Sequence, residues 1–136
     1  MNIENVKKTL EKSHNLADNL GMNFLSTPDA DSCMATMEVN ESNCQPYGYL
    51  SGGASLALAE TLAGVGSAAL CPKEIAVGIN VSGNHIKAVK VGETVTAKAT
   101  IVQNGHALHV WNVEITDAMG ELVSKVVVTN YIINKK

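Results

Sequence analysis

From Ile3 to Leu20 the apolar residues recur at helical spacing. Val6, Leu10, Leu16 and Leu20 fall on one side, and Lys7, Lys8, Glu11 and Lys12 on the wet side. The pattern predicts one short amphipathic helix, broken near Ser13 and stopped at Gly21. Cys33, Ala35, Met37 and Val39 then alternate with Ser32, Thr36, Glu38 and Asn40, as in a half-buried strand. Asn43 to Leu50, with Pro46 and Gly48, reads as a loop. From Ser51 to Cys71 the chain is apolar on nearly every side, Glu60 being its one charge. Ser51 is placed to cap a long helix there, and Pro72 ends it. Ala54, Ala57, Ala59, Ala63, Gly64 and Gly66 would let neighbouring elements approach closely.

Four strands follow, over Ile75 to Asn84, Glu93 to Gln103, His106 to Thr116 and Leu122 to Ile133. Asn104-Gly105 marks a hairpin and Asp117 to Gly120 a turn. The order is helix, strand, long buried helix, four strands. It predicts an α+β domain in which an antiparallel sheet wraps a central helix.

The 136 residues fit one domain over 1–136, and 46% hydrophobic with 17% charged residues is a globular composition. A net charge of -3 leaves no electrostatic footprint for nucleic acid, although Lys87 and Lys90 could meet a phosphorylated small molecule. Cys33, Cys44 and Cys71 are odd in number and lack a CxxC pair, so reduced thiols in the cytoplasm are expected, with neither disulfides nor structural zinc. The polar start, Met1 to Leu10, has no signal-peptide core. Gly52 to Cys71 reads as a buried helix and a poor membrane span, so no membrane partner is expected.

The chemistry concentrates between Gln45 and Glu60. A lone carboxylate in an apolar helix is costly to bury; it is either a functional group or a structural one that meets a loop or a lysine. Gly52 and Gly53 leave N–H groups open at a helix start, where an oxyanion or a polarised thioester carbonyl could sit; tight packing is the bland alternative. Gly52 and Glu60 are eight residues apart on one helix, about 12 Å at 1.5 Å per residue. If both act on one reacting centre, they must come from two chains, which predicts a dimer with shared sites. Gln45 could donate an amide hydrogen bond to a thioester oxygen, or could simply be solvated.

Gln45-Pro-Tyr-Gly-Tyr-Leu-Ser-Gly-Gly-Ala-Ser followed by Ala59-Glu60-Thr61 resembles the hotdog-fold acyl-CoA thioesterases. Gly83-Asn84-His85, Gly105, Val110-Trp111 and the Asp117 to Gly120 turn add to the likeness, which extends from about Gly21 onward. The nearest branch looks like the 1,4-dihydroxy-2-naphthoyl-CoA thioesterases of menaquinone biosynthesis. The enterobactin proofreading and Glu-type 4-hydroxybenzoyl-CoA thioesterases are similar.

The resemblance implies a hotdog fold and hydrolysis of an aromatic or medium-chain acyl-CoA without a cofactor. It implies Glu60 as nucleophile or general base, Gly52 as oxyanion donor and Gln45 as the contact to the thioester oxygen. His85, Lys87 and His106 would meet the CoA nucleotide, with Gly53 and Gly64 also in the substrate site. Relatives form dimers of dimers, so a homotetramer is implied. Ser51 stands where the family usually has His, and Gly64 where relatives carry Ser or Thr one turn past the carboxylate; Thr61 points elsewhere.

Two other readings remain open, a hotdog dehydratase and a non-catalytic acyl-CoA-binding module. The first wants a His that Asn43 to Gly53 lacks; the second gains little from burying a carboxylate near an anionic ligand. His106 and His109, three apart on a predicted strand, should face opposite sides, which makes a metal pair improbable. His14 is expected on an exposed helix face. Ser51 and Ser55 lie outside any GxSxG motif.

Overall fold

A computed structural model describes residues 1–134. Its elements are α1 (Glu4–Leu10), α2 (Leu16–Leu20), β1 (Met22–Leu25), β2 (Ser32–Glu38), α3 (Gly52–Leu70), β3 (Glu74–His85), β4 (Thr94–Asn104), β5 (Leu108–Thr116) and β6 (Leu122–Asn134). The strands form one antiparallel sheet in the order β1-β2-β4-β5-β6-β3. The connection through α3 carries the chain from β2 to the far edge, so β3 borders the sheet with one side unpaired.

The N-terminal helical region is two helices. Asn15 separates them, its side-chain oxygen accepting from the N–H groups of Ala17 and Asp18, and Gly21 ends α2 in the left-handed region at φ 77°. The sequence pattern missed β1, whose four residues are too few to display a period. The predicted start of β5 is also corrected: His106 lies in the hairpin turn, and the strand begins at Leu108.

Alternation along the strands turns Cys33, Ala35 and Met37, then Val95, Ala97 and Ala99, then Trp111, Val113 and Ile115, toward α3. Leu58 and Leu62 enter this layer with no exposed surface; each contributes about 1.5–3 kcal/mol by burial. By length and composition α3 could cross a membrane, but half of it is already buried inside this domain. Its buried face carries Leu58, Ala59, Leu62, Ala63 and Gly66, while Glu60, Thr61, Gly64 and Ala68 remain partly open.

β3 is the exception to this economy. Ile75, Val77 and Ile79 are exposed along it, and its pairing with β6 slips between Gly78 and Asn80. A long, apolar, unpaired edge is a feature that soluble proteins usually cover.

Candidate active site

The first turn of α3 leaves its leading N–H groups without intrahelical acceptors. Ser51 is the N-cap by backbone conformation, but its side chain makes no capping bond, unlike the expectation. The loop before it is closed by its own backbone: Gln45 N–H donates to the Tyr49 carbonyl (2.7 Å) and Gly48 N–H to the Gln45 carbonyl (2.9 Å). Gly48 supports this turn at φ 84°. Leu50 N–H donates to the Val89 carbonyl (2.8 Å), which ties the loop to the segment after β3.

That segment supplies the opposite wall. The register of β3 on β6 sets His85 against Ser124, and the His85 Nδ1 to Ser124 Oγ distance is 2.8 Å. The other imidazole nitrogen, Nε2, leans over Gly52; a Cβ there would lie 2.7 Å from it. Gln45, Gly52, Ser55, His85, Lys87 and Ser124 thus share a cleft of about 360 Å³ at the positive end of the α3 dipole. An electron-rich oxygen entering it would meet free N–H groups and an imidazole.

Ser124 was not singled out from the sequence, and Ser55 was weighed there only as a nucleophile and set aside. The pairing of Ser124 with His85 becomes visible only once β3 lies on β6. Lys87 lines the cleft, but its ammonium is held by Asp117 (2.6 Å) and Glu121, and these hydrogen bonds push its pKa up. The same contact holds the Asp117 carboxyl below its ordinary range.

The remaining predicted site residues lie elsewhere in the protomer. Ser51 and Gly53 face a separate groove toward α2, with Cys44 and Leu16. Glu60 lies against β3: a Cβ on Gly78 would come within 2.8 Å of Glu60 Oε2. The carboxylate therefore sits under the open sheet edge, at the register slip, and does not line the Gly52 cleft. Gly64 lines a third cavity, between α3, α1 and the start of β3. His106 is exposed in the β4–β5 hairpin. Its neighbour Leu108 pairs with Tyr131, whereas His85 pairs with Ser124, so the two imidazoles are at opposite ends of the sheet. Among the described residues no cluster of His, Cys, Asp or Glu could hold a metal.

Residues 47–124, which hold the helix start, Glu60 and His85, match the model of the family described as "Thioesterase superfamily". This chain belongs to that superfamily. It is 35% identical over 109 residues to a 1,4-dihydroxy-2-naphthoyl-CoA hydrolase of Listeria monocytogenes, covering 79% of this chain and 87% of that one. The crystal structure of the Haemophilus influenzae thioesterase HI1161 superposes with a TM-score of 0.87 at 32% identity, covering 98% of this chain and 92% of the other. A thioesterase protein of Streptococcus pneumoniae solved with coenzyme A superposes at 0.76 with 25% identity, over 85% and 90% of the two chains.

The six-stranded sheet around one helix is the hotdog fold of these thioesterases, and the family chemistry is hydrolysis of acyl-CoA thioesters.

Proposed function

We propose that the protein hydrolyses acyl-CoA thioesters at sites assembled from two protomers. One observation carries this reading: Gln45, Gly52 and His85 share a cleft, while Glu60 stands outside it beside an unpaired strand edge. Antiparallel pairing of β3 with a second copy's β3 would cover Ile75, Val77 and Ile79 and continue the sheet. It would also carry each Glu60 toward the partner's cleft.

In such a site the thioester carbonyl oxygen accepts from the Gly52 N–H, and the Gln45 amide supports it. The helix dipole stabilises the charge that develops on that oxygen. Glu60 from the other chain takes a proton from the attacking water or attacks the carbonyl itself. Thiolate CoA departs along the side of the cleft that holds His85. Single turnover in heavy-oxygen water tests direct attack: label in the Glu60 carboxylate requires an anhydride that water opens at the Glu60 carbonyl carbon, whereas the general-base route labels only the released acid. No cofactor is required by this chemistry, and three unpaired thiols suit a reducing cytoplasm. Relatives named for 1,4-dihydroxy-2-naphthoyl-CoA put aryl-CoA esters beside medium-chain ones in the first assay panel.

Subunit mixing tests the reading. Glu60→Ala and Gly52→Val homodimers are each expected to be inactive. A dimer of one Glu60→Ala and one Gly52→Val chain keeps one intact site, so random exchange restores about a quarter of wild-type activity. Mixtures that stay inactive despite exchanging subunits would sink the shared site.

A further inference from the structure

Asn130 of β6 is buried, at 1% exposure, yet its side-chain oxygen Oδ1 has no hydrogen-bond partner among the described residues. Buried acceptors are costly to leave unpaired, and native proteins give them a donor from the chain or from water. The sheet register fixes what stands beside this one. Asn130 is paired with His109 of β5 on one side and with Gly78 of β3 on the other. Directly opposed residues send their side chains to the same face, with Cβ atoms about 5 Å apart.

The amide nitrogen of Asn130 donates to Ser67 Oγ (3.0 Å), the atom that also meets His109 and Trp111 of β5. On the β3 side the neighbour is Gly78, and Glu60 fills the space of its missing side chain. A Cβ there would lie 2.8 Å from Glu60 Oε2 and 3.1 Å from Cδ. The carboxylate is therefore the cross-strand neighbour of the Asn130 amide. Glu60 and Ser67 are seven residues apart, two turns along one face of α3 and about 10 Å on its axis. Ala63 and Gly64 intervene on that face. Apart from adjoining helix backbone, no atom lies within 4 Å of the position of a Cβ on Gly64, so the side chains leave room beside the carboxylate.

We propose that one buried water joins Asn130 Oδ1 to Glu60 Oε2, and that Asn130 is thereby the positioning residue of the Glu60 carboxylate. As a base or nucleophile Glu60 is ionised, so both oxygens are acceptors and cannot bond each other. A water between them donates one proton to each, and two such bonds span about 5.5 Å. The slip after Gly78 leaves Ile79 without a partner on β6, so the backbone there can supply the third bond a buried water ordinarily makes. The water holds the oxygen that lies over Gly78 and leaves Oε1 free for the thioester or its attacking water. The role in catalysis rests on the thioesterase reading above; the water site does not.

The test compares the full-length wild type with Asn130→Leu, which has no acceptor to offer. A high-resolution crystal structure of the wild type should show an ordered water within about 3.2 Å of both oxygens. In Asn130→Leu that water should be gone and the carboxylate should leave its place over Gly78. The variant also loses the bond to Ser67, so its melting temperature should fall, and kinetics are measured well below it. For the ester the wild type hydrolyses fastest, kcat should fall by ~10-fold or more at unchanged KM, since displacing a reacting group by an ångström can cost ~10²-fold. Adding Asn130→Leu to Glu60→Gln should slow the residual rate no further, because the amide acts only through the carboxylate. Should leucine fail to fold, Asn130→Thr, a strand-favouring residue too short to reach, takes its place.

A wild-type structure with no water there, or with Asn130 Oδ1 satisfied by another protein group, would overturn the proposal. So would a folded Asn130→Leu enzyme that melts lower but keeps its kcat, the behaviour of an asparagine that only braces Ser67. Additive losses in the double variant would also overturn it, by making the effect of Asn130 independent of Glu60. Each of these leaves the hydrolase reading intact. A wild type that hydrolyses no ester sinks that reading alone: the water, and the place of the carboxylate in Asn130→Leu, are still read from the crystals.

Discussion

The Nε2 atom of His85 occupies the space that a side chain on Gly52 would need, 2.7 Å from the position of the missing Cβ. Glycine at the head of α3 thus leaves the imidazole room beside the unpaired N–H groups of the first turn. Gly52→Ala should displace His85 and lower kcat/KM by ~100-fold, the scale of losing one oxyanion donor. Because the damage passes through a collision, the effects should not add. The Gly52→Ala/His85→Ala double variant is expected to be no slower than Gly52→Ala, and a kinetic double-mutant cycle measures the coupling.

Glu60 is bordered by Gly78 and the open edge of β3, and none of the salt bridges among the described residues includes it. A half-buried carboxylate without an ionic partner does little for folding. Glu60→Gln should therefore lower kcat by ~10³-fold or more while leaving the melting temperature unchanged or raised. A melting temperature that falls sharply along with activity would make Glu60 a structural residue.

Sequence pattern revealed the architecture where one face of an element is buried and the other wet. Cys33, Ala35 and Met37 announce β2 because each meets α3 while its neighbours do not. Glu60 is conspicuous for the same reason, as the one charge in an apolar helix. The pattern fails where chemistry depends on which strands become neighbours. Ser124 reads as an unremarkable strand serine until β3 lies on β6 and His85 meets it. Lys87 looks free for a phosphate until the turn after β5 delivers Asp117 and Glu121 to it. His106 and His109 read as residues on opposite faces of one strand, yet the first is in a turn and the second is buried beside Ser67.

The three thiols should differ in reactivity. Cys33 is fully buried, with its sulfur 3.7 Å from the Leu62 carbonyl, and burial pushes its pKa up to about 12. Cys71 is partly exposed, and burial followed by the Glu74 charge raises its pKa. Cys44 is also partly exposed. Since the thiolate is the reacting species, iodoacetamide at neutral pH should modify Cys44 first and Cys71 more slowly. Cys33 should react only on unfolding, as peptide mass spectrometry with and without urea would reveal.

Ser67 is the hub of a buried polar network, and it makes stability depend on pH. Its Oγ accepts from Trp111 Nε1 (2.9 Å) and Asn130 Nδ2 (3.0 Å), which uses both lone pairs. Its one proton therefore goes to His109 Nδ1 (2.8 Å), so that nitrogen must be unprotonated. His109 Nε2 faces Cys71 Sγ at 3.8 Å. A second proton on the ring would point at a hydroxyl with no lone pair left. Burial accordingly holds the His109 pKa below its ordinary 6.5, with the Glu74 charge acting weakly the other way. The unfolded chain takes up a proton near pH 6.5 that the folded chain refuses until lower pH. The stabilisation is therefore complete above about pH 6.5 and is lost progressively as pH falls toward the folded value. Ser67→Ala should cost ~3 kcal/mol at neutral pH, since buried donors are left unpaired. His109→Gln should flatten the dependence between about pH 7 and pH 5, because the group that refuses the proton is gone. Urea unfolding of wild type and both variants across that range measures the two effects. An acid limb that persists unchanged in His109→Gln would assign it to other groups.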